Sequence, residues 1–119
     1  MLISDHLYFG GDYNPEQWPA SSWKQDIEDM QKLGVNIVSI GIFSWAAIER
    51  REGEFDFSWM DEIVKLLTEA NIAIDMATGT ASPPAWLTRK HPEMLAITNM
   101  GVRFNHGGRQ HPSPASKAY

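Results

Sequence analysis

Between Phe43 and Phe57 the chain sets Phe43, Trp45, Glu49, Glu52, Glu54 and Asp56, rings and carboxylates at close intervals. Rings stack on flat, partly apolar ligands, and carboxylates bond hydroxyls or move protons. In a parallel α/β fold, such a mixture leaving the end of a buried strand lies where sites are built. Comparable groups stand near the start, at Asp12, Tyr13, Asn14 and Glu16, further on at Thr78, Ser82 and Trp86, and near the end at Arg109. Singly, each has a plainer use. Asp12 and Asn14 are ordinary turn formers, Glu49 beside Arg50 and Arg51 is expected to face solvent, and Trp45 and Trp86 fill space at a rim. Together they favour a sugar site, because rings and multidentate polar groups follow each of the three strands proposed below.

Glycoside hydrolysis requires two carboxyl groups flanking one bond, about 5 Å apart for retention and further for inversion. Asp12, Glu16 and Glu49 are available, but none has a sequence setting that marks it as acid or nucleophile. No Asn-Glu pair of the kind many barrel glycosidases carry after their fourth strand occurs either. No catalytic residue is therefore expected within these 119 residues. His91, His106 and His111 lack helical metal-ligand spacing, and two of them precede prolines, so no metal is expected. The glycine pairs Gly10-Gly11 and Gly107-Gly108 fit no phosphate-cradling pattern, which leaves a nucleotide-binding domain as the weaker reading and no cofactor expected. Asp75 is either buried and paired or a site residue set low beneath the pocket.

The elements that must hold these groups alternate between strand and helix. Leu7 to Gly11 is a short strand ending in a glycine pair. Trp23, Ile27, Met30 and Leu33 share one helical face, with Ser21 or Ser22 as cap and Gly34 just past the end. Val35 to Ile42 is β-branched and nearly all apolar, the pattern of a strand covered on both faces. Ser58 caps a second helix whose face is Met60, Ile63, Val64 and Leu67, and Asn71 ends it. Ile72 to Ala77 is a third buried strand. Pro84 opens a short helix that His91-Pro92 stops. Leu95 to Thr98 and Val102 to Phe104 form a small hairpin across Asn99-Met100-Gly101, and Ser113-Pro114 begins a further helix.

The order βαβαβ predicts an α/β fold with a parallel sheet. Three parallel strands leave two edges open and a sheet face with too few helices, whereas closing a barrel takes eight strands and about 250 residues. The expected fold is thus a partial TIM (β/α)8 barrel, its first three β/α units with the start of a further helix. Composition agrees with a folded chain, 43% hydrophobic and 21% charged. A net charge of -5 with scattered basic residues excludes nucleic acid as partner. With no cysteine there is no disulfide framework. No membrane span or basic leader is evident, so a cytoplasmic location is the default expectation.

FGGDYNPEQWP near the start, GIFSWAAIERREGEFDFSWMDEIVKLL, TASPPAWL and GGRQHPSPASKAY occur in that order. With these segments the chain resembles the N-terminal part of family 42 glycoside hydrolases, the bacterial β-galactosidases, from about Tyr8 to Tyr119. The resemblance implies that residues 1–119 open a longer (β/α)8 barrel followed by other domains, with retaining hydrolysis of terminal β-D-galactosyl groups and a homo-oligomeric parent. It implies that both catalytic glutamates lie beyond Tyr119 and that this chain alone is inactive. The arginine that contacts galactose in the family falls on Arg109, a fixed fork of donors suited to vicinal hydroxyls. Where the family holds a structural zinc, its first cysteine falls on Ser113, a hydroxyl here, so no zinc is implied. The contrasting expectation is a small sugar-binding or self-associating module, with its sheet edges covered by a partner.

Overall fold

A computed structural model describes residues 6–105 and 112–118. In chain order the elements are β1 (Gly10–Asp12), α1 (Trp23–Lys32), β2 (Ile37–Ile40), α2 (Trp45–Ile48), β3 (Glu49–Arg51), β4 (Glu54–Phe55), α3 (Ser58–Glu69), β5 (Ala73–Met76) and α4 (Ala85–Lys90), with single 3-10 turns at Pro15–Gln17, Ala20–Ser22 and Pro92–Met94. They fall into two units, residues 1–41 with 57–77 and residues 42–56 with 78–119.

The first unit is the parallel α/β layer expected from the sequence. Its sheet runs β1-β2-β5, with β1 parallel to β2 and β2 parallel to β5. Both crossover helices end in the same way. Gly34 at φ +78 and Asn71 at φ +57 take the left-handed position just past α1 and α3. Val35 N–H then reaches back to Met30 C=O (3.0 Å) and Ile72 N–H to Leu67 C=O (3.0 Å), while Gly34 and Asn71 bond Gln31 and Thr68 (both 3.1 Å). These paired bonds satisfy helix-end carbonyls and turn the chain directly into the next strand. Trp23 and Ile27 of α1 and Ile63 and Leu67 of α3 pack with Val38 and Ile40 of β2 into one core. The Trp23 indole N–H is satisfied there by Pro15 C=O at 3.0 Å.

Several expectations are corrected. The first strand begins at Gly10, not Leu7, because the Asn36 side chain clamps the preceding residues. Its Oδ1 accepts Phe9 N–H (2.7 Å) and its Nδ2 donates to Leu7 C=O (2.8 Å). β2 is buried on one face only. Val38 and Ile40 point into the core, whereas Ile37 and Ser39 are half-buried, since both helices pack on the Val38 face. On the other face Asp12, Ser39 and Asp75 are in register across the three strands. Leu33 does not extend the α1 face; it caps the helix and is 74% exposed. Ser58 is the first residue of α3, and Phe57 occupies the cap, its C=O accepting Asp61 N–H at 2.9 Å.

The second unit contains what the sequence shows as one polar and aromatic segment. There the chain forms the short helix α2 and an antiparallel hairpin, β3 with β4, around Gly53 at φ +78. Pro84 is the cap of α4 rather than its first residue, and the helix stops before His91-Pro92 as expected, with His91 as its C-cap. Residues 95–104 turn back at Gly101 (φ +77) as anticipated, but the expected hairpin is reduced to one isolated bridge, Ile97 to Arg103, with no strand in either arm. No helix starts at Ser113-Pro114 among the described residues. Ser116 N–H closes one turn on Ser113 C=O (2.9 Å), and Ala118 N–H bonds the Ser116 hydroxyl (3.3 Å), a side-chain acceptor in place of a helical carbonyl. Among the described residues no helix is long and apolar enough to cross a membrane.

Candidate functional site

The groups singled out after β1 belong to the first unit. Tyr13 is buried and donates its hydroxyl to Asp26 of α1 at 3.0 Å. Burial first, then the Asp26 bond and the nearby Asp26 and Glu16 charges, push its ionisation well above the ordinary tyrosine value. Asn14 Oδ1 and both Glu16 carboxylate oxygens are buried without a hydrogen-bond partner among the described residues, a condition native proteins confine to a few groups per 100 residues. Asp12 is exposed. Asp75, either buried or a site residue by sequence, is exposed and accepts the Ser39 hydroxyl at 2.9 Å. Ser39, its partner in the polar row, carried no sequence signal, because it sits inside an apolar run.

In the second unit the fold brings Trp45, Glu49 and Trp86 together. Glu49 does not face solvent: it is 6% exposed. One carboxylate oxygen accepts the Trp45 indole N–H (2.7 Å), the other accepts Gly53 N–H (2.8 Å), and the Glu49 backbone C=O accepts the Trp86 indole N–H (2.9 Å). One residue thus takes up two indoles and the tight turn of the β3–β4 hairpin. α2 supplies the first contact by spacing Trp45 and Glu49 four residues apart, and α4 supplies Trp86. Thr78 and Ser82 do not join them; Thr78 and Thr80 hydroxyls share a bond at 3.3 Å.

Around these three residues lies an open cavity of about 800 Å³, lined also by Glu52, His91, Glu93 and Lys117. Two of its rim carboxylates are paired. Lys90 bonds Glu52 at 2.5 Å, and His91 Nδ1 meets Glu93 at 3.0 Å. A backbone N–H of its own residue, followed by the His91 side chain, holds the Glu93 carboxyl below the usual range. Glu52 was among the carboxylates singled out in the sequence, whereas Lys90 and Glu93 had no motif to reveal them; His91 was weighed only as a metal ligand. Among the described residues no group of three or more His, Asp or Glu is arranged to hold a metal ion. Arg109, His106 and His111 lie outside the described residues.

The first unit is a parallel α/β layer, and the second holds a pocket lined by two indoles and by carboxylates; together they define an α/β protein with an aromatic, acidic cavity. The family follows from comparison: the beta-galactosidase model of glycoside hydrolase family 42 matches residues 12–119, and the chain belongs to that family. Beta-galactosidase LacZ of Heyndrickxia coagulans is 53% identical over 115 residues, 97% of this chain and 17% of the relative. Beta-galactosidase BbgII of Bifidobacterium bifidum is 51% identical over 113 residues, 95% of this chain and 16% of the relative. Among solved structures, Gan42B, a GH42 beta-galactosidase from G. stearothermophilus also solved as a glutamate-to-alanine catalytic mutant, has a TM-score of 0.84 at 34% identity, covering 92% of this chain and 16% of Gan42B. The beta-galactosidase of Bacillus circulans sp. alkalophilus has a TM-score of 0.81 at 38% identity over 90% of this chain and 16% of its own. The chain therefore spans about one sixth of the length of the relatives it matches.

Proposed function

We propose that these residues are the N-terminal part of a (β/α)8-barrel β-galactosidase that hydrolyses terminal β-D-galactosides with retention. The observation that carries the reading is the family match over residues 12–119, in a chain whose sheet is parallel with crossover helices. Catalysis requires carboxyl groups free to donate a proton and to attack the anomeric carbon. Those lining the cavity are engaged: Glu49 by two N–H donors, Glu52 by Lys90 and Glu93 by His91. This supports placing the acid and the nucleophile in the remainder of the longer protein. The buried acceptors of Asn14 and Glu16 support a donor from outside the described residues. Arg109 is the residue we assign to galactose, on the strength of the sequence resemblance.

The test is hydrolysis of o-nitrophenyl β-D-galactoside by the longer protein, by residues 1–119 alone, and by the longer protein with Arg109→Lys. The longer protein should release β-galactose first by NMR, and the 119 residues should release none. Loss of the guanidinium fork should lower kcat/KM about 10- to 100-fold. Turnover by residues 1–119 would refute the location of the glutamates, α-galactose as first product would refute retention, and an unchanged Arg109→Lys enzyme would remove Arg109 from the site.

A further inference from the structure

Glu49 has a geometry that neither the carboxylate pair of a glycosidase nor a solvent-facing surface residue requires. Its carboxylate is buried, and both oxygens are occupied by N–H donors from the same stretch of chain, Trp45 on one side and Gly53 on the other. Its own carbonyl holds a third N–H, that of Trp86, from α4. The two indoles so fixed are half-buried and line one cavity together with Glu49. An indole anchored by its N–H loses its freedom to rotate about χ2, so the ring plane is set before any ligand arrives. Preorganisation of that kind appears in binding as a smaller ordering cost.

We propose that Glu49 is a positioning residue that fixes the Trp45 and Trp86 rings as a preformed wall for a pyranose ring of the galactoside. The paired side chains of Glu52 with Lys90 and His91 with Glu93 supply donors and acceptors for its hydroxyls at the rim. This rests on the β-galactosidase reading and adds the binding of the sugar through two tryptophans that Glu49 orients. Glu49 touches no reacting atom in this account. Gln at position 49 keeps the shape and one acceptor oxygen, but turns an NH2 group toward either Trp45 or Gly53, so one of the two bonds is lost. The positioning role is read where the bond lost is that to Trp45, and Phe at position 45 removes that same bond from the other side and leaves a ring in place.

The experiment compares Glu49→Gln, Trp45→Phe and the double variant in the longer enzyme, with KM and kcat for o-nitrophenyl β-D-galactoside, tryptophan fluorescence titrated with galactose, and the melting temperature. Glu49→Gln should raise KM about tenfold with kcat within about twofold, and should reduce the fluorescence response to galactose. Trp45→Phe should shift KM in the same direction, and the double variant should be no worse than Glu49→Gln alone, because both remove one interaction. Unchanged KM and an unchanged galactose response in Glu49→Gln, even with a lower melting temperature, would leave Glu49 a merely structural residue and overturn the proposal. So would strictly additive effects of the two substitutions. A wild-type enzyme that hydrolyses no β-galactoside would overturn the functional reading instead, and the galactose titration would then decide the positioning role by itself.

Discussion

Two buried polar residues show how far side-chain chemistry is set by its surroundings. Glu49 stands next to Arg50 and Arg51, a neighbourhood that reads as surface, yet the hairpin turn at Gly53 draws its carboxylate inward to two N–H groups. The residue types of the pocket were legible in the sequence; the direction of Glu49 was not, because it depends on α2 and on a β3–β4 hairpin too short for periodicity to reveal. Tyr13 gives a pH prediction. Burial and Asp26 keep its hydroxyl protonated above the ordinary value of 10.0, whereas the unfolded chain ionises it from that pH upward. Protons are then bound more by the folded than by the unfolded state, so this contribution is complete below pH 10.0 and is lost as pH rises beyond it. Urea unfolding of the longer protein at pH about 8 and about 11 should show wild type more stable than Tyr13→Phe at the lower pH, by about 1–2 kcal/mol for the lost bond. The difference should shrink at the higher pH; a constant gap would mean the hydroxyl titrates normally.

At the scale of elements, the strands and helices of the first unit could be read from periodicity and caps, but their ends could not. Gly34 and Asn71 were visible as helix stops, and the structure gives both the same pair of backbone bonds. The start of β1 was missed because Asn36, a single side chain 29 residues from Leu7, substitutes for strand pairing there. The single-sided burial of β2 was missed because an apolar run gives no sign of which face meets helices. A glycine contrast tests the β1–β2 junction. A Cβ at Gly10 would lie 1.7 Å from Ile37 C=O, while one at Gly11 meets nothing within 4 Å. Gly10→Ala should therefore cost about 3 kcal/mol or more, because backbone must move, and Gly11→Ala should stay within about 1 kcal/mol. Denaturant midpoints of the two variants in the longer protein would settle it; equal midpoints would mean that β1 does not approach β2 this closely.

For the whole chain, the balance between buried and exposed apolar surface is the informative quantity. Leu7 is 85% exposed, Met100 80% and Leu33 74%, with Phe9, Ile97 and Val102 each above half. Large apolar side chains left in water in this number favour association. Residues 1–119 expressed alone should bind anilinonaphthalene sulfonate and elute from a sizing column ahead of a 13.4 kDa monomer, and the longer protein should do so far less per mole. A monodisperse, cooperatively melting monomer would instead favour a self-sufficient module.

The sheet order β1-β2-β5 is also the order of synthesis, and every pairing joins a strand to one made earlier. Ala73 pairs with Ile37, 36 residues behind it, which at about 5–20 residues per second separates their synthesis by roughly 2–7 s. Helix formation and collapse need only microseconds. On the ribosome, β1 and β2 are thus both made seconds before the strand that completes this sheet, a long interval on the timescale of chain collapse.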